Sequence, residues 1–198
     1  MPSEIVIPAA PDAGRRPPAP GRLELLRTFV NTVDLESGVD QFASPEQLAG
    51  WLTERALLRR GATIGAADRA TVIAFREAVR EVLEANAGHA DASGALARLD
   101  EIAARVPLRL RMGDRPRLEP ERGAGIDLAV GRLLAIIYEA VAQGTWSRLK
   151  ACRDDACRWA FYDSSRNRSG VWCTMAICGN RTKGRVFRRR HPAETAAT

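Results

Sequence analysis

CRDDACRWAFYDSSRNRSGVWCTMAICGNRTKGRVFRRR, residues Cys152 to Arg190, holds all four cysteines of the 198-residue chain. They fall as two Cys-x4-Cys pairs, Cys152/Cys157 and Cys173/Cys178, with fifteen residues between the pairs. Each short-spaced pair can cover one edge of a tetrahedron when the intervening loop folds back, which is what a four-thiolate metal site requires. The alternative is a pair of disulfides, which needs an oxidising compartment, and the N-terminal MPSEIVIPAAPDAGRRPPAPGR lacks the apolar core of a secretory signal. A reducing cytoplasm favours metal. A catalytic zinc commonly keeps one position open to water and uses His or carboxylate ligands, whereas His89 and His191, the only histidines, lie outside the pairs. The spacing is therefore read as one closed, structural Zn2+ site per chain.

The residues around the second pair extend this reading. Trp159, Phe161, Asp163, Ser165, Arg166 and Asn167, then Trp172-Cys173-x-Met175, then Cys178-Gly179-Asn180-Arg181 with Lys183, closely resemble the CGNR zinc finger over about the last forty residues. Val171 departs from that pattern, where the family often carries another basic residue. The expected module is treble-clef-like. Cys152 and Cys157 form a first knuckle, a short hairpin carries Trp159, Phe161 and Tyr162, and Cys173 and Cys178 complete the site at the entry of a last helix over 179–190. Trp159, Phe161, Trp172 and Met175 supply its small core.

The charge is unequally distributed. Residues 1–149 hold nineteen Arg against twenty Asp and Glu, whereas residues 150–191 hold eleven Lys and Arg against three Asp, within a total of +6. A compact element this positive attracts a polyanion, and nucleic acid is the usual partner. At about 100° per residue, Arg181, Arg185 and Arg188 share one face of the last helix and are assigned to base edges of major-groove DNA. Lys183, Arg189 and Arg190 are assigned to phosphates, with Arg166 and Arg168 on the preceding loop. An RNA-binding protein and a zinc-stabilised protein-interaction module are the alternatives.

Upstream, the pattern is mainly helical. Residues 1–20, rich in Pro and Ala with an Arg15-Arg16 pair, read as a mobile arm. Leu23, Leu26, Phe29, Val30 and Val33 give a first amphipathic helix. Ser44-Pro45-Glu46-Gln47 is a helix start with a capping box, running to about Leu58 and burying Leu48, Trp51 and Leu52. A long helix begins near Ala66–Asp68 and stops at Gly88, and a shorter one buries Leu96, Leu99 and Ile102 before Pro107. Alternation of Leu108, Leu110 and Met112 around Gly113-Asp114 predicts a small β-hairpin. A last helix, from Ile126 through Val141, is apolar on much of its circumference and predicted to be well buried.

Phe29-Val30-Asn31-Thr32-Val33-Asp34, Pro45 through Leu52 and Phe75-Arg76-Glu77-Ala78 resemble the ABATE domain, which commonly precedes a CGNR finger. The resemblance covers about Arg22 to Leu149 and implies a small-molecule sensor in a stress-responsive transcription regulator. Asn31, Thr32, Asp34 and Arg76 are the candidates for a polar ligand pocket, weighed against capping and core ion pairing.

The expected organisation is an arm over 1–20, a helical domain over 21–149, a finger over 150–191 and a tail over 192–198. No catalytic triad, phosphate-cradling loop or His-x-x-x-His arrangement is present, so a binding protein rather than an enzyme is expected. No apolar run approaches the ~20 residues of a membrane span, consistent with a cytoplasmic protein. One finger offers few contacts for specific binding, so a homodimer through the helical domain is expected.

Overall fold

The computed structural model describes residues 16–114, 116–121 and 125–191. The expectations for residues 1–15, including Arg15, and for the tail over 192–198 lie outside these residues.

Six helices and three two-stranded antiparallel hairpins make up the chain among the described residues. Helix α1 (Leu23–Val30) buries Leu23, Leu26, Phe29 and Val30 on one stripe. A short hairpin of β1 (Val33–Asp34) and β2 (Val39–Asp40) leads to α2 (Pro45–Glu54). The Ser44 side chain accepts from the Gln47 amide at 3.3 Å and Gln47 Oε1 accepts from the Ser44 amide at 3.0 Å, so the predicted capping box is formed. This helix ends at Glu54 instead of Leu58, because Ala56 turns into the left-handed region at φ 55° and folds Leu57 and Leu58 into the core.

Helix α3 (Ala66–Asn86) is the central element. Its buried stripe of Val72, Phe75, Val79 and Leu83 packs on α1, where Phe29 sits 5.8–5.9 Å from the rings of Phe42, Trp51 and Phe75. Such tilted aromatic contacts add to area burial.

Helix α4 (Ser93–Ala103) lies along α3 and buries Ala95, leaving the predicted core residue Leu96 half exposed. The hairpin of β3 (Leu108–Arg111) and β4 (Arg117–Pro120) forms as predicted. Its alternation does not bury Leu110 and Met112, because the hairpin is covered only where β4 meets α5 (Gly125–Ala142). Close approach there requires Gly131, since a Cβ at this position would lie 2.9 Å from both Pro120 Cβ and Val106 Cγ1. Helix α5 is well buried, as predicted, along Leu133, Ile136 and Ala140 among others, while Tyr138 and Val141 of its apolar set are exposed.

The C-terminal segment is built into this body. Strand β5 (Leu149–Ala151) pairs with β6 (Ala160–Tyr162) and packs on α3, and Leu149, Ala151 and Ala160 belong to the same apolar core as Phe29 and Leu83. Asn31, at the end of α1, accepts from the Ala160 amide at 2.7 Å and donates to its carbonyl at 2.8 Å. Fully buried Arg80 donates to the carbonyls of Val30 at 2.5 Å and Arg158 at 3.0 Å, while Asn86 donates to Trp146 and Leu149. A strand thus crosses the sequence boundary placed at residue 150.

The predicted arm also needs correction where it is described. Arg16 donates to the Trp172 carbonyl at 3.2 Å, lies 3.6 Å from the Asp163 carboxylate and sits over the Phe161 ring, while Ala19 is buried.

Asn31→Ala should leave two backbone groups of Ala160 unpaired at a buried site. The expected loss is roughly 1–3 kcal/mol for each orphaned group, measured by urea unfolding of metal-loaded protein.

Candidate metal centre and cationic surface

The knuckle of Cys152 and Cys157 is the tip of the β5–β6 hairpin, so its first strand precedes the knuckle, contrary to the predicted order. The Asp154 carbonyl accepts from the amides of Cys157 at 2.8 Å and Arg158 at 2.9 Å, which closes the turn, and Arg158 takes φ 46° to leave it. The amide of Cys152 donates to the Trp159 carbonyl across the hairpin. The second pair arrives after a loop. Arg153 donates its amide to Val171, and the Thr174 hydroxyl caps a π-helical turn over Met175–Gly179 that places Cys178 one turn before α6 (Asn180–Arg190). At Gly179 a Cβ would lie 2.4 Å from Met175 Sδ and 3.3 Å from Trp172 Cδ1, so the glycine of the Cys178–Arg181 motif permits this close turn.

These elements bring the four Sγ atoms within 4.8 Å of one another. Cys157 Sγ and Cys178 Sγ each lie 3.6 Å from Cys173 Sγ. A tetrahedral ion with metal–sulfur bonds of about 2.3 Å sets sulfur–sulfur edges of about 3.8 Å, so the donor set fits one such ion and the cysteines are free thiols. Hydrogen bonding from Cys157 and Cys173 holds the Cys152 thiol low, at about 2. The bond to Cys152 pushes Cys157 up, bonds to Cys152 and Cys157 push Cys173 up, and burial raises Cys178. Shared hydrogen bonds favour ionisation of Cys152 over its neighbours and burial opposes ionising the rest, a cost that a divalent cation would remove.

Phe161, Trp159, Trp172 and Ile177 pack around the sulfurs. Met175, predicted to join them, is half exposed above Gly179, and Ile177 takes its place.

Two buried carboxylates organise the surface. Asp163 accepts from Lys150 Nζ at 2.9 Å and from the amides of Gly170 at 2.7 Å and Ser165 at 3.1 Å. Burial works to raise its pKa, but Lys150, the Ser165 hydroxyl and the two amides win and hold it well below the usual carboxylate range. Lys150 also donates to the carbonyls of Arg168 and Gly170, fixing the loop that carries exposed Arg166 and Arg168. Asp154, the second, accepts from Arg185 at 2.8 Å and lies 3.8 Å from Arg181, which also meets Glu36 of the β1–β2 turn at 3.0 Å.

The predicted division of the arginines is therefore corrected. Arg181 and Arg185, assigned to base edges, face the body and are neutralised by Asp154 and Glu36. Lys183, Arg188, Arg189 and Arg190 are exposed on the far side and end of α6, and none of them, nor Arg166 or Arg168, forms an ion pair with another described residue.

The candidate ligand residues are likewise occupied by protein groups. Arg76 meets both Asp40 oxygens at 2.7 and 2.8 Å, Glu77 at 2.8 Å and Thr32 Oγ1 at 3.1 Å. Thr32 donates to Phe29, Asp34 caps the β1–β2 turn, and Asn31 holds Ala160. They form a strut between α3, β2 and the finger hairpin rather than a pocket.

Sequence reading missed Lys150, Asp154 and Asn86. Lys150 had a signal: it is one of two lysines in an arginine-rich chain, placed thirteen residues before the Asp163 it pairs with.

Two outcomes follow. Cys178→Ser should abolish hydrogen-exchange protection in α6 and residues 173–179 while β5 and β6 stay protected with the helices, because Leu149, Ala151 and Ala160 are held by the main core. Asp163→Asn should cost roughly 3–5 kcal/mol at neutral pH by leaving Lys150 buried without its carboxylate. Since the folded pKa is depressed, the Asp163 contribution is full above the ordinary aspartate range near 4 and fades as pH falls towards the folded value. The stability gap between wild type and variant should therefore narrow on acidification.

The chain was compared with known families and curated proteins. Residues 148–191 match the CGNR zinc finger, and residues 11–144 match ABATE, described as "Putative stress-induced transcription regulator". No curated protein matches the chain. Among the described residues no helix is long and apolar enough to cross a membrane. With four sulfurs gathered inside the first match and the helical body inside the second, the chain belongs to the ABATE family and carries a C-terminal CGNR zinc finger.

Proposed function

We propose that this protein is a transcription regulator of the cytoplasm that binds duplex DNA through a zinc-stabilised finger and is not an enzyme. The observation that carries this reading is the set of cations without an ion-pair partner among the described residues, Lys183, Arg188, Arg189 and Arg190, on a helix projecting from the four-cysteine knot, with Arg166 and Arg168 on a braced loop. Cys152, Cys157, Cys173 and Cys178 would hold one Zn2+ per chain, which supplies charge neutralisation and cross-linking. Four thiolates complete a tetrahedral set and leave no ligand position for water, which supports a structural role.

The chain's own residues do the rest. Asp154 and Glu36 orient α6 by holding Arg181 and Arg185 against the body, so the helix turns its unpaired cations outward. Lys150 and Asp163 brace the backbone of the loop that carries Arg166 and Arg168. Two chains acting together would supply the contacts that one short helix lacks. For the sensor role of the helical domain, the groove of about 300 Å3 between β4 and α5 is lined by Arg22, Arg117, Arg132 and Glu119 over Leu118 and Leu128, with Arg117 paired to Glu119, a mixed polar and apolar surface of a size that suits a small organic molecule.

Elemental analysis of protein purified without added metal should give one zinc per chain. Fluorescence anisotropy with duplex DNA at several salt concentrations should show binding that weakens with salt, and Arg189→Ala or Arg190→Ala should flatten the log–log slope by about one unit for each phosphate no longer neutralised. Arg181→Ala and Arg185→Ala should change that slope little. Tighter binding to structured RNA than to any duplex would replace this reading with RNA binding, and sedimentation at micromolar concentration tests the pairing of chains.

A further inference from the structure

On the side of α6 away from Asp154 lies a groove of about 410 Å3 between the helix and Trp172, floored by Val186 and Phe187 and bordered by Lys183 and Arg190. Val186 is 42% and Phe187 54% exposed, although both are apolar and α6 is otherwise almost wholly polar. Among the described residues no carboxylate lines the groove. A second copy of the chain, presenting the same surface, would bring cation against cation. The occupant that fits is anionic and carries small apolar points between its charges.

Duplex DNA has that chemistry. Phosphates flank the major groove, and within it the apolar group on the base edges is the thymine C5 methyl, which side chains such as Phe contact directly. The major groove admits an α-helix, and residues 186–190 of α6 are all exposed among the described residues, with the Phe187 ring stacked on His191 at 4.5 Å. We propose that Val186 and Phe187 recognise thymine methyl groups in the major groove while Lys183 and Arg190 hold the flanking phosphates. This rests on the DNA-binding reading above and moves base recognition from Arg181 and Arg185 to the opposite face.

The test uses the full-length, zinc-loaded protein. Duplexes enriched by it from a random-sequence pool are resynthesised with deoxyuridine in place of thymidine, which removes the methyl groups and leaves the hydrogen-bonding edges unchanged. Wild type should bind the uracil duplexes about fourfold more weakly for each recognised methyl group removed. Phe187→Ala and Val186→Ala, at exposed positions and with zinc content as a check on folding, should weaken binding to the thymine duplexes by a similar factor and leave the uracil duplexes unaffected. Equal binding of the two duplex forms by wild type overturns the inference, as do variants that weaken both forms alike, and in either case salt-dependent duplex binding survives. Absence of duplex binding at low salt, with an acidic amphipathic peptide bound instead and released by Phe187→Ala, overturns the DNA reading itself.

Discussion

Four sulfurs held within 4.8 Å of one another set the terms for the C-terminal third of the chain. Ionised, they repel; protonated, they crowd one another as largely buried thiols, and the contrasting shifts of Cys152 against Cys157, Cys173 and Cys178 reflect that conflict. A divalent cation resolves it. The segment from Cys173 to Arg190 depends on that resolution, because outside the metal cluster its apolar contacts are few: Ile177 and Trp172 are only partly buried, and no residue of α6 is buried. Its remaining anchors are polar: Asp154 and Glu36 hold Arg181 and Arg185.

The first half of the finger is held by different physics. Leu149, Ala151 and Ala160 lie in the core with Phe29 and Leu83, and the backbone of Ala160 is clamped by Asn31 as an additional strand would clamp it. Arg80 reaches from α3 to carbonyls at the end of α1 and in the knuckle, joining three elements through one fully buried guanidinium. Helical body and finger therefore share a continuous apolar core over β5 and β6, while the cationic helix hangs from the four-cysteine site. A displacement of α1 or α3 would be felt at Ala160 and Arg158, adjacent in sequence to Trp159 and Cys157. The Glu36–Arg181 pair adds a second connection, from the β1–β2 turn to the base of α6.

Patterns whose cause is local were legible from residues alone. Ser44, Pro45 and Gln47 contain their own capping geometry, Gly88 its left-handed stop, and the cysteine pairs their tetrahedral edges. What failed depended on partners distant in sequence. Helical phase put Arg181, Arg185 and Arg188 on one face, yet phase does not say which way a face points, and buried Asp154, about thirty residues earlier, takes Arg181 and Arg185 while Arg188, nearer the helix end, stays exposed. Asn31 and Arg76 resembled pocket residues because a buried polar side chain looks the same whether it awaits a ligand or a backbone strand. The burial of Leu57 and Leu58 beyond a helix that ends at Glu54 likewise arises from the turn at Ala56, and alanine gives no sequence warning of a positive φ.

The capture of Arg181 and Arg185 has a further physical consequence. A helix carrying arginine on every side would bind a polyanion in many orientations, with little difference in energy between them. Neutralising one face against Asp154 and Glu36 leaves an asymmetric field, strongest over Lys183 and Arg188–Arg190 and weakest towards the body. Because Asp154 is buried, its pairing with Arg185 is screened by salt far less than an exposed contact to phosphate would be. Orientation of the helix thus persists under ionic conditions that would weaken an electrostatic contact, and under the DNA-binding proposal discrimination would fall to the apolar side chains of the outward face, whose contacts depend little on salt.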